Sequence, residues 1–188
     1  VRCFDSEKIT HVNSKISPSS DLETIKTEIV LSDLDIVQKK LEKGKKKLLE
    51  DKEIKILEEK LNQLDKNQEV KINNEEENKF LSSIGLLSIK PKIIVCNVDE
   101  ENLSKGNQYT EEVQNKYPNE KIIKICADIE DQLSGLDKNE KEAFMQDIGL
   151  NKTGLNQLIK EGYDLLKLDT FFTSGPEAVS YTHLRAHE

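Results

Sequence analysis

Two short apolar runs, Ile93–Asn97 and Ile122–Cys126, constrain this chain more than any other feature. Both are rich in β-branched residues and are bounded by turn or charged residues, so they read as buried strands. The opening run Val1–Phe4 reads the same way. Long helical stretches separate the three, which is the pattern of a parallel sheet built by helical crossovers. A fourth short run, Thr170–Thr173, follows a helix and leads into the turn signal Ser174-Gly175-Pro176.

Only 35% of the 188 residues are apolar and 34% are charged, which calls for an extended, solvated element beside the sheet. The stretch between the first two strands supplies one. Ser19-Ser20-Asp21 offers a cap for a helix carrying Leu22, Ile25, Ile29, Leu34, Val37 and Leu41 near one stripe. Gly44 interrupts the pattern among lysines, and a second stripe follows at Leu57, Leu61 and Leu64. Two such helices pair most simply as an antiparallel hairpin. A third helix near Glu75–Leu87 returns the chain to Lys90-Pro91. After the third strand, helices are expected over Asp137–Ile148 and Gly154–Lys167, the latter packing on a sheet through Leu155, Leu158, Ile159, Leu165 and Leu166.

A net charge of −8 argues against whole-surface attraction to nucleic acid or anionic lipid. No apolar run approaches the roughly 18–20 residues needed to cross a bilayer, and no membrane partner is expected. There is no initiating Met and no signal segment, and the chain opens inside a strand-like run, so a truncated start is expected. Cys3, Cys96 and Cys126 show neither paired nor metal-ligand spacing and are expected to be buried strand thiols.

Chemistry gathers at the strand ends. Asn97-Val98-Asp99-Glu100 follows one strand, and ligands of open parallel sheets bind at such carboxyl ends. An Asn there presents a carbonyl and an amide to a purine edge, and the later carboxylate can accept N–H groups. The same residues also read as a helix cap with a first-turn acid. Cys126-Ala127-Asp128-Ile129-Glu130 follows the next strand, where a small-residue loop can offer its backbone to a base.

These motifs, with Val1-Arg2-Cys3-Phe4-Asp5, Ile9-Thr10-His11-Val12, Asp21-Leu22-Glu23-Thr24-Ile25, Thr27-Glu28-Ile29 and Lys90-Pro91, resemble the YchF or Obg-like ATPase family. The likeness runs on, in family order, through Phe144-Met145-Gln146-Asp147-Ile148-Gly149-Leu150, Gly154-Leu155, Tyr163-Asp164-Leu165-Leu166 and Phe171-Phe172-Thr173-Ser174-Gly175-Pro176. The resemblance implies an α/β fold: part of a P-loop nucleotidase parallel sheet, with an inserted antiparallel helical (coiled-coil) arm. It implies residues 1–20 and 90–168 in the P-loop domain, 21–89 as the arm, and 169–179 as the start of a TGS domain.

The resemblance also implies a cytoplasmic, ribosome-associated ATP-hydrolysing parent, with the large subunit as partner, no DNA, and ATP with Mg2+ as cofactors. In that family Asn-x-x-Glu replaces the Asn-Lys-x-Asp of related GTPases and ATP is preferred. Asn97 would then bond the adenine edge, the Val98 carbonyl would accept from the exocyclic amine, and Glu100, Cys126 and Ala127 would complete the base site. A carboxylate cannot donate to adenine N1, so the part played by Glu100 is the least defined.

Two departures stand against the likeness. The chain has no Gly-x-x-x-x-Gly-Lys-Ser/Thr loop for phosphates and magnesium and no Asp-x-x-Gly segment, both of which precede Val1 in the family, so this fragment is expected to be inactive. Residues 180–188 resemble translated adapter sequence, and no metal site is expected at His183 and His187 despite their spacing. Finally, Lys39, Lys40, Lys43, Lys45, Lys46 and Lys47 crowd the arm's turn. They read either as a solvated tip or as a ribosomal RNA contact, and the second underlies an alternative function: a non-catalytic ribosome- or RNA-binding helical module with a regulatory nucleotide pocket.

Overall fold

A computed structural model describes residues 1–6, 16–44, 49–174 and 179–185, with side chains described through residue 170. It divides into two compact units, one of Val1–Ser19 with Pro91–Glu188 and the other of Ser20–Lys90.

The second unit is built on α1 (Pro18–Lys43), α2 (Asp51–Asp65) and α3 (Glu75–Ser83). The first helix starts at Pro18, so Ser19, Ser20 and Asp21 lie within its first turn and do not cap it. Proline suits that place because its ring presets φ and the first N–H has no helical partner. The buried stripe of α1 is Val30, Asp33, Val37 and Leu41, whereas Ile25 is 49% exposed. Leu57, Lys60 and Leu64 form the buried face of α2, and Leu81 joins from α3. Leu61, expected on the α2 stripe, sits at the margin of this cluster.

The third helix ends at Ser83, short of the expected Leu87, because Gly85 at φ +87° turns the chain. Asp33, fully buried, then accepts the Leu87 and Ser88 N–H groups at 2.7 and 2.8 Å. Lys60 is equally buried, ion-pairs with Glu77 and with Glu59, and donates to the Lys71 carbonyl at 2.6 Å. Burial alone would lower its pKa, but the hydrogen bonds to Glu77 and Glu59 outweigh burial and raise it.

The first unit holds β1 (Ile93–Asn97), α4 (Asn102–Lys105), α5 (Gln108–Lys116) and β2 (Lys121–Ile125). It continues with α6 (Ala127–Ser134), α7 (Lys138–Asp147), α8 (Gly154–Leu166), β3 (Leu168–Ser174) and β4 (Val179–Arg185). Strands β1 and β2 pair in parallel, Ile93 opposite Lys121 through Asn97 opposite Ile125. The expected opening strand contributes one bridge. Arg2 pairs in parallel with Asn97, the Asn97 N–H donates to the Val1 carbonyl at 2.8 Å, and the Cys3 N–H donates to the Asn97 carbonyl at 2.7 Å.

Strand β2 ends one residue earlier than expected, because Cys126 leaves the ladder as the N-cap residue of α6. That helix was not expected from the sequence. Ile129 and Leu133 bury it against Cys126, beside Phe144 and Met145 of α7. Helix α7 opens on a capping box between Asp137 and Glu140, and α8 opens on Thr153, whose hydroxyl accepts the Asn156 N–H. The Thr170–Thr173 run lies within β3, and its antiparallel partner β4 occupies residues for which no strand was expected. All three cysteines are free and buried.

Candidate functional site

Asn97 closes β1 and Cys126 follows β2, so both stand at the carboxyl ends of neighbouring parallel strands. Asn97 Oδ1 accepts a hydrogen bond from the Ala127 N–H at 3.0 Å. Ala127 is the first residue of α6, and a helix leaves its first N–H groups without intrahelical partners. Cys126, at the cap position, makes no side-chain cap hydrogen bond, consistent with a thiol being a weak acceptor. Asn97 therefore caps the helix that follows the neighbouring strand. The cap-like behaviour read from Asn-x-x-Glu is real, but its target is α6 and not the helix that follows Asn97 in sequence.

With Oδ1 committed, the Asn97 amide presents its NH2 donors to any ligand. The Val98 N–H continues the ladder to the Ile125 carbonyl at 2.8 Å. Asp99 Oδ1 accepts from the Asn102 backbone N–H at 3.2 Å and from its side-chain amide at 2.5 Å, which holds the turn into α4. Glu100 is exposed on that turn.

A cavity of about 150 Å³ opens between the strand ends, lined by Asn97, Val98, Asp99, Glu100, Cys126 and Ala127. All five base-site residues named from sequence thus meet around one space. Phe4, Asp128 and Gln132 complete the lining. Sequence reasoning missed Phe4 as a site residue although it ends the first apolar run, the same strand-end position that singled out Asn97. Asp128 and Gln132 were missed because α6 was.

The lining offers many acceptors and few donors, which suits a neutral ring carrying an exocyclic amine. A larger hollow, about 730 Å³, runs along α8 past Lys152, Asn156, Lys160 and Tyr163, and gathers none of the strand-end residues. The Arg2 guanidinium lies 4.8 Å from the centre of the Phe4 ring. Cys3, Cys96 and Cys126 immediately precede Phe4, Asn97 and Ala127, and all three are at most 3% exposed. The hydrogen bond with Cys96, together with burial, pushes the Cys3 thiol far above its ordinary value and keeps it protonated. No group of three or more metal-ligating side chains occurs among the described residues.

The lysines separate into two sets. Lys39 pairs with Asp35 at 2.6 Å, Lys40 is half-buried and Lys43 is exposed, all on the last turns of α1. Lys45, Lys46 and Lys47 lie outside the described residues, as do Ile9, Thr10, His11 and Val12.

Fold and site together define a parallel α/β protein with a small polar pocket where two strands end. No protein-family model matches the chain. Over 95% of its length it is similar to curated proteins named ribosome-binding ATPase YchF. Identity is 35% with that of Escherichia coli O157:H7, 33% with that of Bacillus subtilis and 36% with that of Mycoplasma pneumoniae. The chain spans about half the length of these relatives, 52–53% of each. A solved structure titled as the Schizosaccharomyces pombe YchF GTPase superposes with a TM-score of 0.80 at 26% identity, covering 98% of this chain and 53% of that one. The similarity to the YchF proteins thus runs along nearly the whole length of this chain.

Proposed function

We propose that this chain is the base-recognising portion of a cytoplasmic, ribosome-associated P-loop NTPase that prefers ATP. The observation that carries the reading is the hydrogen bond from the Ala127 N–H to Asn97 Oδ1, which draws two strand tips around one cavity. In this reading the Asn97 NH2 donates to an unprotonated purine nitrogen and the Val98 carbonyl accepts from the 6-amino group of adenine. Phe4 supplies an apolar wall. Glu100, Cys126 and Ala127 close the rim. A guanine presents a 6-oxo acceptor where the pocket is rich in acceptors, and the Ala127 N–H beside it is already engaged by Asn97.

The donor set fits the base and leaves phosphate and Mg2+ to residues outside 1–188, since no Gly-x-x-x-x-Gly-Lys-Ser/Thr segment occurs in the sequence. Mg2+ in such a site neutralises charge on the transferred phosphoryl group. The chain's own share is to bind and orient the base, and the purified chain is expected not to hydrolyse ATP. Titration with ATP and GTP tests the reading: Asn97→Ala should weaken ATP binding about tenfold with the fold retained, and unchanged affinity would count against it.

The proposal extends to the helical unit. We take residues 21–89 as an inserted antiparallel arm, a reading supported by the Lys26–Glu69 ion pair at 2.7 Å, which joins the start of α1 to the chain beyond α2. Its lysine-rich turn would meet ribosomal RNA of the large subunit. Residues 169–179 would open a TGS-type domain, and residues 180–188 would not belong to the natural protein. Lys40 and Lys43 on the last turn of α1 also favour a second reading, a ribosome- or RNA-binding helical module whose nucleotide pocket is only regulatory. Among the described residues no helix is long and apolar enough to cross a membrane.

A further inference from the structure

The segment that carries Phe4 is closed by one side chain. Arg2 Nε donates to the Phe4 carbonyl at 3.0 Å, one terminal nitrogen donates to the Ser6 carbonyl at 3.4 Å, and the guanidinium lies 4.8 Å from the Phe4 ring centroid. Residues two apart on an extended segment project to the same side, which brings charge and ring together. The backbone of Arg2 meanwhile forms the bridge to Asn97. One residue thus ties the strand of the base-reading asparagine to the aromatic wall of the same cavity.

We propose that Arg2 is a positioning residue of the base site. It acts through Phe4, holding the ring in place before any ligand arrives, so that a purine entering the cavity meets an ordered wall and does not spend binding free energy on ordering it. The role needs a guanidinium. A fork reaches two carbonyls while its flat face covers a ring, and an ammonium supplies a point charge without that geometry. The inference rests on the base-site reading under Proposed function and adds to it a residue that touches no base.

The test uses the full 188-residue chain with Arg2→Ala, Arg2→Lys and Asn97→Ala. In ligand-free NMR spectra, the Phe4 ring signals are expected to move toward free-phenylalanine values in both Arg2 variants, while the Ala127 amide signal stays in place. ATP affinity should fall about threefold in both Arg2 variants, the size of the cost of ordering one side chain on binding, with the lysine failing to rescue. Phe4 signals that stay put in Arg2→Lys, or that move while ATP affinity holds, overturn the proposal. The Asn97→Ala arm answers a separate question: if that variant binds ATP as well as the parent chain does, the base-site reading is what fails.

Discussion

Asn97 Oδ1 takes the Ala127 N–H at 3.0 Å, so one amide both caps α6 and faces the cavity at the strand ends. The two duties use opposite ends of the amide and can be separated by substitution. Asn97→Asp keeps an acceptor for Ala127 but loses the NH2 donors. It should retain slow hydrogen exchange at Ala127 while losing about tenfold in ATP affinity, the worth of one good hydrogen bond. Asn97→Ala should lose both. Equal ATP binding by the aspartate variant and the parent would contradict the division of roles.

Lys60 is fully buried on the same face of α2 as Leu57 and Leu64 and holds Glu77 and Glu59, so its removal strands a buried carboxylate. Lys60→Met should cost about 3–5 kcal/mol in urea unfolding. Lys60→Met with Glu77→Leu should recover most of that loss, because no uncompensated charge remains. A double variant no more stable than Lys60→Met alone would show that the cost lies in packing.

The same network sets a pH dependence. The folded state raises the Lys60 pKa, so its contribution is complete below the ordinary lysine value of 10.5 and is lost as pH climbs through the raised value. The hydrogen bond from Lys60 lowers the Glu59 pKa, so that contribution is present above the ordinary value of 4.5 and fades as pH falls through the lowered one. The Lys60→Met variant should therefore show a smaller drop in urea midpoint above pH 10.5 than the parent does. Identical alkaline limbs would refute the linkage.

Asp33 satisfies two backbone N–H groups, those of Leu87 and Ser88, from within the α1 stripe. Asp33→Ala should destabilise the chain by about 3 kcal/mol, through donors left buried without acceptors. Asp33→Asn keeps one acceptor oxygen and should cost about half as much. Amide exchange at Leu87 and Ser88 should rise in both variants, and unaltered protection there would count against the account.

Replacing Lys40 and Lys43 with glutamine should weaken binding of the chain to ribosomal RNA at low salt. The log–log salt slope should fall by roughly 0.7–0.9 for each phosphate that the lysines cease to neutralise. A slope that does not change would assign these lysines to solvent.

The sequence by itself determined the elements whose stability is local. Ile93–Asn97 and the run around Ile123 are strands because β-branched apolar residues suit a covered pleated surface. The helix expected from Asp137 forms because Asp137 and Glu140 satisfy each other's backbone donors within one turn. That Asn97, Val98, Glu100, Cys126 and Ala127 share one cavity was also legible, since strand ends in a parallel sheet are where ligand-facing residues collect.

Tertiary structure alone decided what depends on partners distant in sequence. No sequence pattern set Asp33 or Lys60 apart, yet each is buried at the cost of its water. That loss is offset largely by groups that the fold brings from elsewhere, Leu87 and Ser88 for one and Glu77 and the Lys71 carbonyl for the other, with the neighbouring Glu59 adding to the second. Helix α6 was illegible for the same reason, and the strand-end place of Phe4 did not by itself show that its ring lines the pocket. The first N–H of α6 is capped by an amide 30 positions earlier, and Phe4 reaches the pocket on a segment that the Arg2–Asn97 bridge joins to β1. Local propensity specifies which segments are helix or strand. Desolvated polar groups, which must find partners wherever the chain brings them, specify which side chains meet.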